Sequence, residues 1–166
     1  MQVPHELRQT PNTLRLILAD ASDDELSWQP RPDRWSISMV LAHLADVEEA
    51  GFMSRFQDIL GQDDPLLRYY DQLALFRERK DFDGRAELDV FERLRTKNLV
   101  WLEAAPEGAA RRTGRHEQLG HISFEELLNE FAFHDLGHLR QVIELYRCHK
   151  FYPKMGAFQS YYNINP

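Results

Sequence analysis

Several things are scarce in this chain. Its 166 residues include one cysteine, Cys148. That excludes an internal disulfide framework and any cysteine-based zinc finger. No apolar run approaches the ~20 residues that a membrane-spanning helix needs. The opening stretch, MQVPHELRQT, has no apolar segment of the kind a signal peptide carries. Positive charge is in deficit: 20 Lys and Arg stand against 27 Asp and Glu, a net charge of -7. An acidic chain of this kind lacks the basic stripe that neutralises nucleic-acid phosphates and is poorly suited to an anionic membrane surface. The expectation is a cytoplasmic protein with neither nucleic acid nor membrane as partner. No repeat, low-complexity tract or hinge-like linker interrupts the chain. A hydrophobic content of 43% over this length fits one domain, residues 1–166, with one core.

What is present is helical periodicity. A first helix is expected to open at Thr10-Pro11 and to bury Leu14, Ile17 and Leu18, because proline suits a first helical position. Ser22 to Glu25 reads as a capping box opening one short turn. A second helix starts at Ser36 and runs to about Leu60, with Ile37, Val40, Leu41, Leu44, Val47, Phe52, Phe56 and Ile59 on one face and Gly61 as its stop. Residues 61–84 are long for a connection between bundle helices, and a turn or more of helix is expected between Tyr69 and Arg79. Such a length permits the next helix to run parallel to the second. That third helix covers about Gly84 to Ala105. A polar loop with three glycines follows, then a fourth helix opened by the capping box at Ser123 and running to about Arg147. The aromatic tail from Phe151 to Pro166 is expected to pack back on the bundle. No strand pattern stands out. The fold class is all-α, a four-helix bundle with a long crossover between helices 2 and 3.

Seven histidines are distributed unevenly over these helices. On the fourth, the inward stripe reads Leu127, Phe131, His134, His138, Val142, Leu145. The two histidines are four apart, hence about one turn, ~6 Å, along the axis and on the same face. That spacing lets both imidazoles reach one metal ion. His43 sits between Val40 and Val47 and also points inward. Three inward imidazoles from two helices match a catalytic metal site, with three protein ligands and one open position. A histidine on an apolar face can instead be a core residue bonded to a backbone carbonyl, but three of them buried without partners would cost ~1–3 kcal/mol each. Glu130, one turn before His134, Gln141, three after His138, and Asp46, three after His43, are candidates to orient these rings. His116 and His121, in the loop before the fourth helix, either rim the site or are solvated. His5 and His149 read as surface residues.

The surrounding residues resemble a known family. Trp35-Ser36-Ile37 leads into His43-Leu44-Ala45-Asp46-Val47-Glu48, and late in the chain comes His134-Asp135-Leu136-Gly137-His138-Leu139-Arg140-Gln141. This order resembles the DinB-like superfamily, which includes metal-dependent hydrolases of the YfiT-like type and bacillithiol transferases. The resemblance runs from about Thr10 to Tyr161-Tyr162. It implies a four-helix bundle with a long second crossover and a divalent ion, zinc or nickel, on His43, His134 and His138. It further implies a small-molecule substrate, with a low-molecular-weight thiol as a candidate co-substrate. A homodimer is a candidate assembly, and nothing in the sequence fixes the oligomeric state.

The expected function is therefore that of a metal-dependent enzyme, a thiol-dependent S-transferase or a hydrolase. The alternative is a non-catalytic metal-binding or structural bundle serving as an oligomeric binding module. Two sharper readings fail. The 134–138 segment resembles the H-E-x-x-H zinc-protease motif, but aspartate replaces glutamate and reaches less far. A di-iron carboxylate bundle needs Glu-x-x-His motifs, and the sequence has none. Cys148, in the last turn of the fourth helix, has no base placed for it and reads as inert. Arg34, Arg55 and Arg140 are candidates to hold a carboxylate of the thiol or substrate.

Overall fold

The computed structural model describes residues 2–166. Four long helical stretches build it: α1 (His5–Ile17), a rod over residues 37–61, α6 (Gly84–Glu103) and α7 (Phe124–Lys150). The short helices α2 (Asp23–Ser27) and α5 (Ala74–Glu78) fill the connections. The rod is continuous but not uniform. It begins as α3 (Ile37–Asp46), widens into a π-helical segment (Val47–Met53) and resumes as α4 (Ser54–Gly61). The five-residue step from Val47 to Phe52 matches the wider π turn, which keeps both side chains buried.

Contacts fix the direction of each helix. Gly84 lies against Ser38, and Arg95 and Asn98 bond Glu48, so α6 runs parallel to the rod. Phe52 stacks on Phe131 and Phe56 packs at a tilt against Phe124, while His43 meets His138, so α7 is antiparallel to the rod. Arg15 pairs with Asp89 and Glu92, and Arg8 with Glu103, so α1 is antiparallel to α6. The order is up-down-down-up. Its parallel pair, α3 and α6, is what the long connection of residues 62–83 makes possible.

The core is divided. One apolar cluster gathers Leu7, Phe52, Phe56, Leu102, Phe124 and Phe131. A second gathers Leu14, Leu41, Leu44, Phe91, Val142 and Leu145. Near the junction of the two, every long helix carries polar residues: Thr10 on α1, His43 and Glu48 on the rod, Arg95 and Asn98 on α6, and His134, Asp135 and His138 on α7. A polar layer thus crosses the middle of the bundle.

Four details depart from the sequence expectations. Helix α1 starts at His5, with Pro4 as its cap and both Thr10 and Pro11 inside it. A proline there leaves the carbonyl four residues back without its N–H. That carbonyl, on Leu7, accepts instead from Arg95 Nη1 at 2.7 Å, while Thr10 Oγ1 donates to the Glu6 carbonyl. The polar loop before α7 contains a hairpin, β2 (Thr113–His116) and β3 (Gly120–Ser123), and β2 pairs in parallel with β1 (Leu66–Leu67). These strands are too short and too polar to show alternation. Their anchor is Leu67, buried under Gly114, where a Cβ would fall 2.9 Å from the leucine side chain. Helix α7 extends to Lys150. The tail forms two 3₁₀ turns that leave Phe151, Phe158, Tyr161 and Tyr162 exposed rather than packed.

Candidate metal centre

Helices α3 and α7 bring His43, His134 and His138 together from opposite sides of the polar layer. One ring nitrogen from each lies within 4.8 Å of the others. His43 Nε2 and His134 Nε2 are 3.1 Å apart. Two imidazole nitrogens on one tetrahedral zinc would be about 3.3 Å apart, given Zn–N distances of about 2.0–2.1 Å. The donor set thus fits a divalent ion before any ion is placed there.

The electrostatics fit as well. Burial, with the neighbouring His138 adding to it, pushes the pKa of His43 down to about 3. Burial and the adjacent His138, His43 and Arg95 push His134 to about 3. Burial also lowers His138, partly offset by Gln141 and Asp135. All three rings are neutral at pH 7, the form that offers a lone pair to a metal.

The three rings differ in how they are held. His138 Nδ1 donates to Gln141 Oε1 at 2.9 Å, which leaves Nε2 as the free lone pair. His43 Nδ1 and His134 Nδ1 are buried without a hydrogen-bond partner among the described residues. Trp35 lies against the cluster, 5.0 Å from the His43 ring and stacked at 6.1 Å on that of His138. Phe52 meets the His134 edge at 5.3 Å.

The other sequence candidates scatter. Glu130 does not bond His134; it stands in the field of Arg55. Asp46 accepts a hydrogen bond from the Tyr70 hydroxyl and lines a groove that also holds Tyr70 and Arg55 but none of the three histidines. His116 lines a narrow cleft together with His43 and His134, whereas His121 pairs with Asp64 on the exposed hairpin at 2.9 Å. His5 is exposed, but His149 is half-buried: its ring lies 4.9 Å from Trp28 and its Nδ1 has no partner. Cys148 is buried, and burial and Glu144 raise its thiol pKa to about 11.

Two clefts meet at the three histidines. The wide one, about 690 Å³, is lined by His134, His138, Trp35, Phe133, Arg34 and Arg140. The narrow one, about 280 Å³, holds His43, His134, Tyr70 and Arg55. His134 and Glu130 stand in the wall common to both.

Behind the histidines lies a group that the sequence reading missed. Arg95, 1% exposed, donates to Glu48 Oε1 at 2.7 Å and to both oxygens of Asp135 at 2.6 and 3.0 Å. Asn98 donates to Glu48 Oε2 and to the Glu48 carbonyl. The Arg95 guanidinium lies over the rings of Phe91 and Phe131. Burial works against its charge, and Asp135 and Glu48 outweigh that effect. Burial holds Glu48 above the ordinary carboxylate range in spite of Arg95. The signal was in the periodicity: Arg95 is four after Phe91 and seven after Leu88, and Asp135 is four after Phe131, all inward positions.

The model of the DinB superfamily matches residues 6–142. The chain belongs to the DinB superfamily. Among its DinB relatives is an Oceanobacillus iheyensis protein named "Putative metal-dependent hydrolase OB0782", 24% identical over 143 residues that cover 85% of this chain and 82% of that one. A Bacillus subtilis protein, "Putative metal-dependent hydrolase YfiT", is 24% identical over 144 residues, covering 85% and 80%. The solved structure of YfiT, described as having "an unusual four-helix bundle topology", superposes with a TM-score of 0.76 over 87% of this chain and 83% of that one. The bundle is therefore the DinB fold, and both relatives bear the name "Putative metal-dependent hydrolase".

Proposed function

We propose that this protein is a metal-dependent hydrolase of a small molecule, with one divalent ion, zinc or nickel, held by His43, His134 and His138. The observation that carries the reading is the convergence of three neutral imidazoles where two clefts meet. A purely structural ion would be closed off by four protein ligands. A bound divalent ion supplies Lewis acidity, lowering the pKa of a water or thiol at its open position.

The chain's own residues do the rest. Burial keeps the three rings unprotonated, so proton competition for their lone pairs is weak near pH 7. Gln141 fixes the His138 tautomer. Trp35 and Phe52 wall the rings. Arg34 and Arg140 stand in the wide cleft.

Thiol transfer is the second reading, and the paired clefts favour it, since a thiol and an acceptor need separate approaches to one centre. The thiol would come from outside, because Cys148 is buried and held protonated. A free cysteine supports a reducing compartment, the cytoplasm. The exposed Leu136 and Ile143 on the outer face of α7 support pairing of two copies, which light scattering on the eluting protein would measure. The metal reading is tested by elemental analysis of protein purified without a histidine tag, beside the His43→Ala/His138→Ala double variant. About one equivalent of metal is expected in the first and none in the second; equal, negligible metal in both would overturn it.

A further inference from the structure

Arg55 differs from the other two arginines that the sequence singled out. Arg34 and Arg140 are exposed, where a guanidinium is satisfied by water. Arg55 is half-buried, and it lines the narrow cleft beside His43 and His134. Among the described residues it makes one hydrogen bond, from Nη2 to the Arg68 carbonyl at 3.1 Å, and no ion pair. A guanidinium has five N–H donors, so four remain unused in a space partly withdrawn from water. Burial lowers its pKa, and the acid that acts against this is Glu130, in the wall shared by both clefts.

Further donors converge on the same space from other parts of the chain. The crossover supplies the Gln72 amide. The hairpin supplies Gln118 and His116. The Gln118 backbone N–H donates to His116 Nδ1 at 3.2 Å, and a neutral imidazole whose Nδ1 accepts carries its proton on Nε2. His116 is thus a donor at its outer nitrogen. A volume of about 280 Å³ lies just under the ~300–1,000 Å³ of pockets that enclose whole drug-sized ligands, so this cleft suits one end of a molecule.

We infer that the narrow cleft is a subsite for a carboxylate or similar oxyanion of the substrate, held by Arg55 with His116, Gln72 and Gln118. The substrate class is then a small anionic molecule. Its charged end sits in the narrow cleft, its reacting group lies at the three histidines, and its remaining bulk extends into the wide cleft. The inference rests on the metal reading above, because the histidines define where the reacting group lies.

The test uses cobalt-loaded protein and two thiols, 3-mercaptopropionate and 2-mercaptoethanol, followed by the sulfur-to-cobalt charge-transfer absorbance. The carboxylate-bearing thiol is expected to bind about tenfold more tightly. Arg55→Leu abolishes that preference, Arg55→Lys retains part of it, and Arg34→Leu and Arg140→Leu leave it in place. A wild-type protein without the preference, or an Arg55→Leu variant that keeps it, overturns the subsite. If cobalt fails to bind at all, the metal reading is what fails. The subsite is then decided on metal-free protein by titrating acetate against the Arg55 Nε–H resonance. A saturable shift, lost when Gln118 and His116 are both replaced by alanine, supports the subsite; no shift overturns it.

Discussion

Two buried polar groups share the middle layer of this bundle, and they are built on opposite principles. Around Arg95 every strong donor and acceptor finds a partner: Glu48, Asp135, Asn98 and the Leu7 carbonyl close the network on itself. Around His43, His134 and His138 the network stays open. Two Nδ1 atoms have no partner, two Nε2 atoms face each other, and clefts reach the rings from both sides. Buried polar atoms without partners cost stability, and folded proteins retain few of them. A group that is buried, polar and closed holds the structure together. The buried, polar and open group is the one at which a metal ion is proposed.

The largest expected effect breaks the closed group. Arg95→Met leaves Glu48 and Asp135 as buried acids without their cation, which costs about 3–5 kcal/mol. Urea unfolding followed by circular dichroism reads this directly. Should that variant fail to fold, Asp135→Asn, which keeps the shape and halves the charge pairing, serves as the milder version and still shifts the midpoint down. A loss under about 1 kcal/mol in Arg95→Met would erase the contrast drawn between the groups.

The open group answers to pH instead. In metal-free protein His43 and His134 have pKa values of about 3, against 6.5 in the unfolded chain. A depressed folded pKa means that the unfolded state binds the extra protons. Stability is therefore complete above pH 6.5 and falls as pH drops from there towards 3, by up to about 1.4 kcal/mol per pH unit for each ring. Denaturation midpoints of metal-free protein between pH 7 and pH 4.5 should show this slope. The His43→Leu/His134→Leu variant should flatten it, and an unchanged slope in that variant would place the titrating groups elsewhere. At pH 7 the same double variant should be as stable as the metal-free parent or about 1–2 kcal/mol more so, since two unpaired polar rings give way to apolar side chains.

A smaller effect tests how the third ring is oriented. Gln141→Leu removes the acceptor of the His138 Nδ1–H. Loss of such a partner usually weakens metal binding about 10–100-fold. Competition with a coloured chelator would measure it, with the unfolding midpoint of the metal-free variant as the control for structure.

Much of the bundle was legible because its helices announce themselves. Ser22, Ser36 and Ser123 all cap where the sequence placed them, and Ser22 and Ser123 form full capping boxes. The inward histidines stood out because an imidazole interrupts an apolar stripe, and the structure brings those three together. Arg95 did not stand out in the same way. A charged residue on a helix is assigned to solvent by default, and only its acidic partners on two other helices, Glu48 and Asp135, make its burial tolerable. The start of α1 was misplaced for a related reason. Proline usually marks a first turn, and the donor that lets Pro11 sit mid-helix lies 84 positions further along, on Arg95. His116 depends on a hairpin whose strands carry no pattern. In each case the missing information was a contact distant in sequence.

The dependence of Pro11 on Arg95 can be measured by itself. In the wild-type protein the Leu7 carbonyl already accepts from Arg95, so Pro11→Ala adds an N–H to a group that is satisfied. In the Arg95→Met background the same carbonyl is an orphan, and the new N–H fills it. Pro11→Ala should therefore stabilise the Arg95→Met protein more than it stabilises the wild type, by about 1 kcal/mol, the net value of one hydrogen bond. The helix propensity of alanine over proline and the greater freedom of the unfolded chain enter both backgrounds equally, so the double-mutant cycle removes them. A coupling indistinguishable from zero would mean that the carbonyl is served by water in both proteins. The closed group would then end at Glu48, Asp135 and Asn98, tying two helices to α6 rather than three.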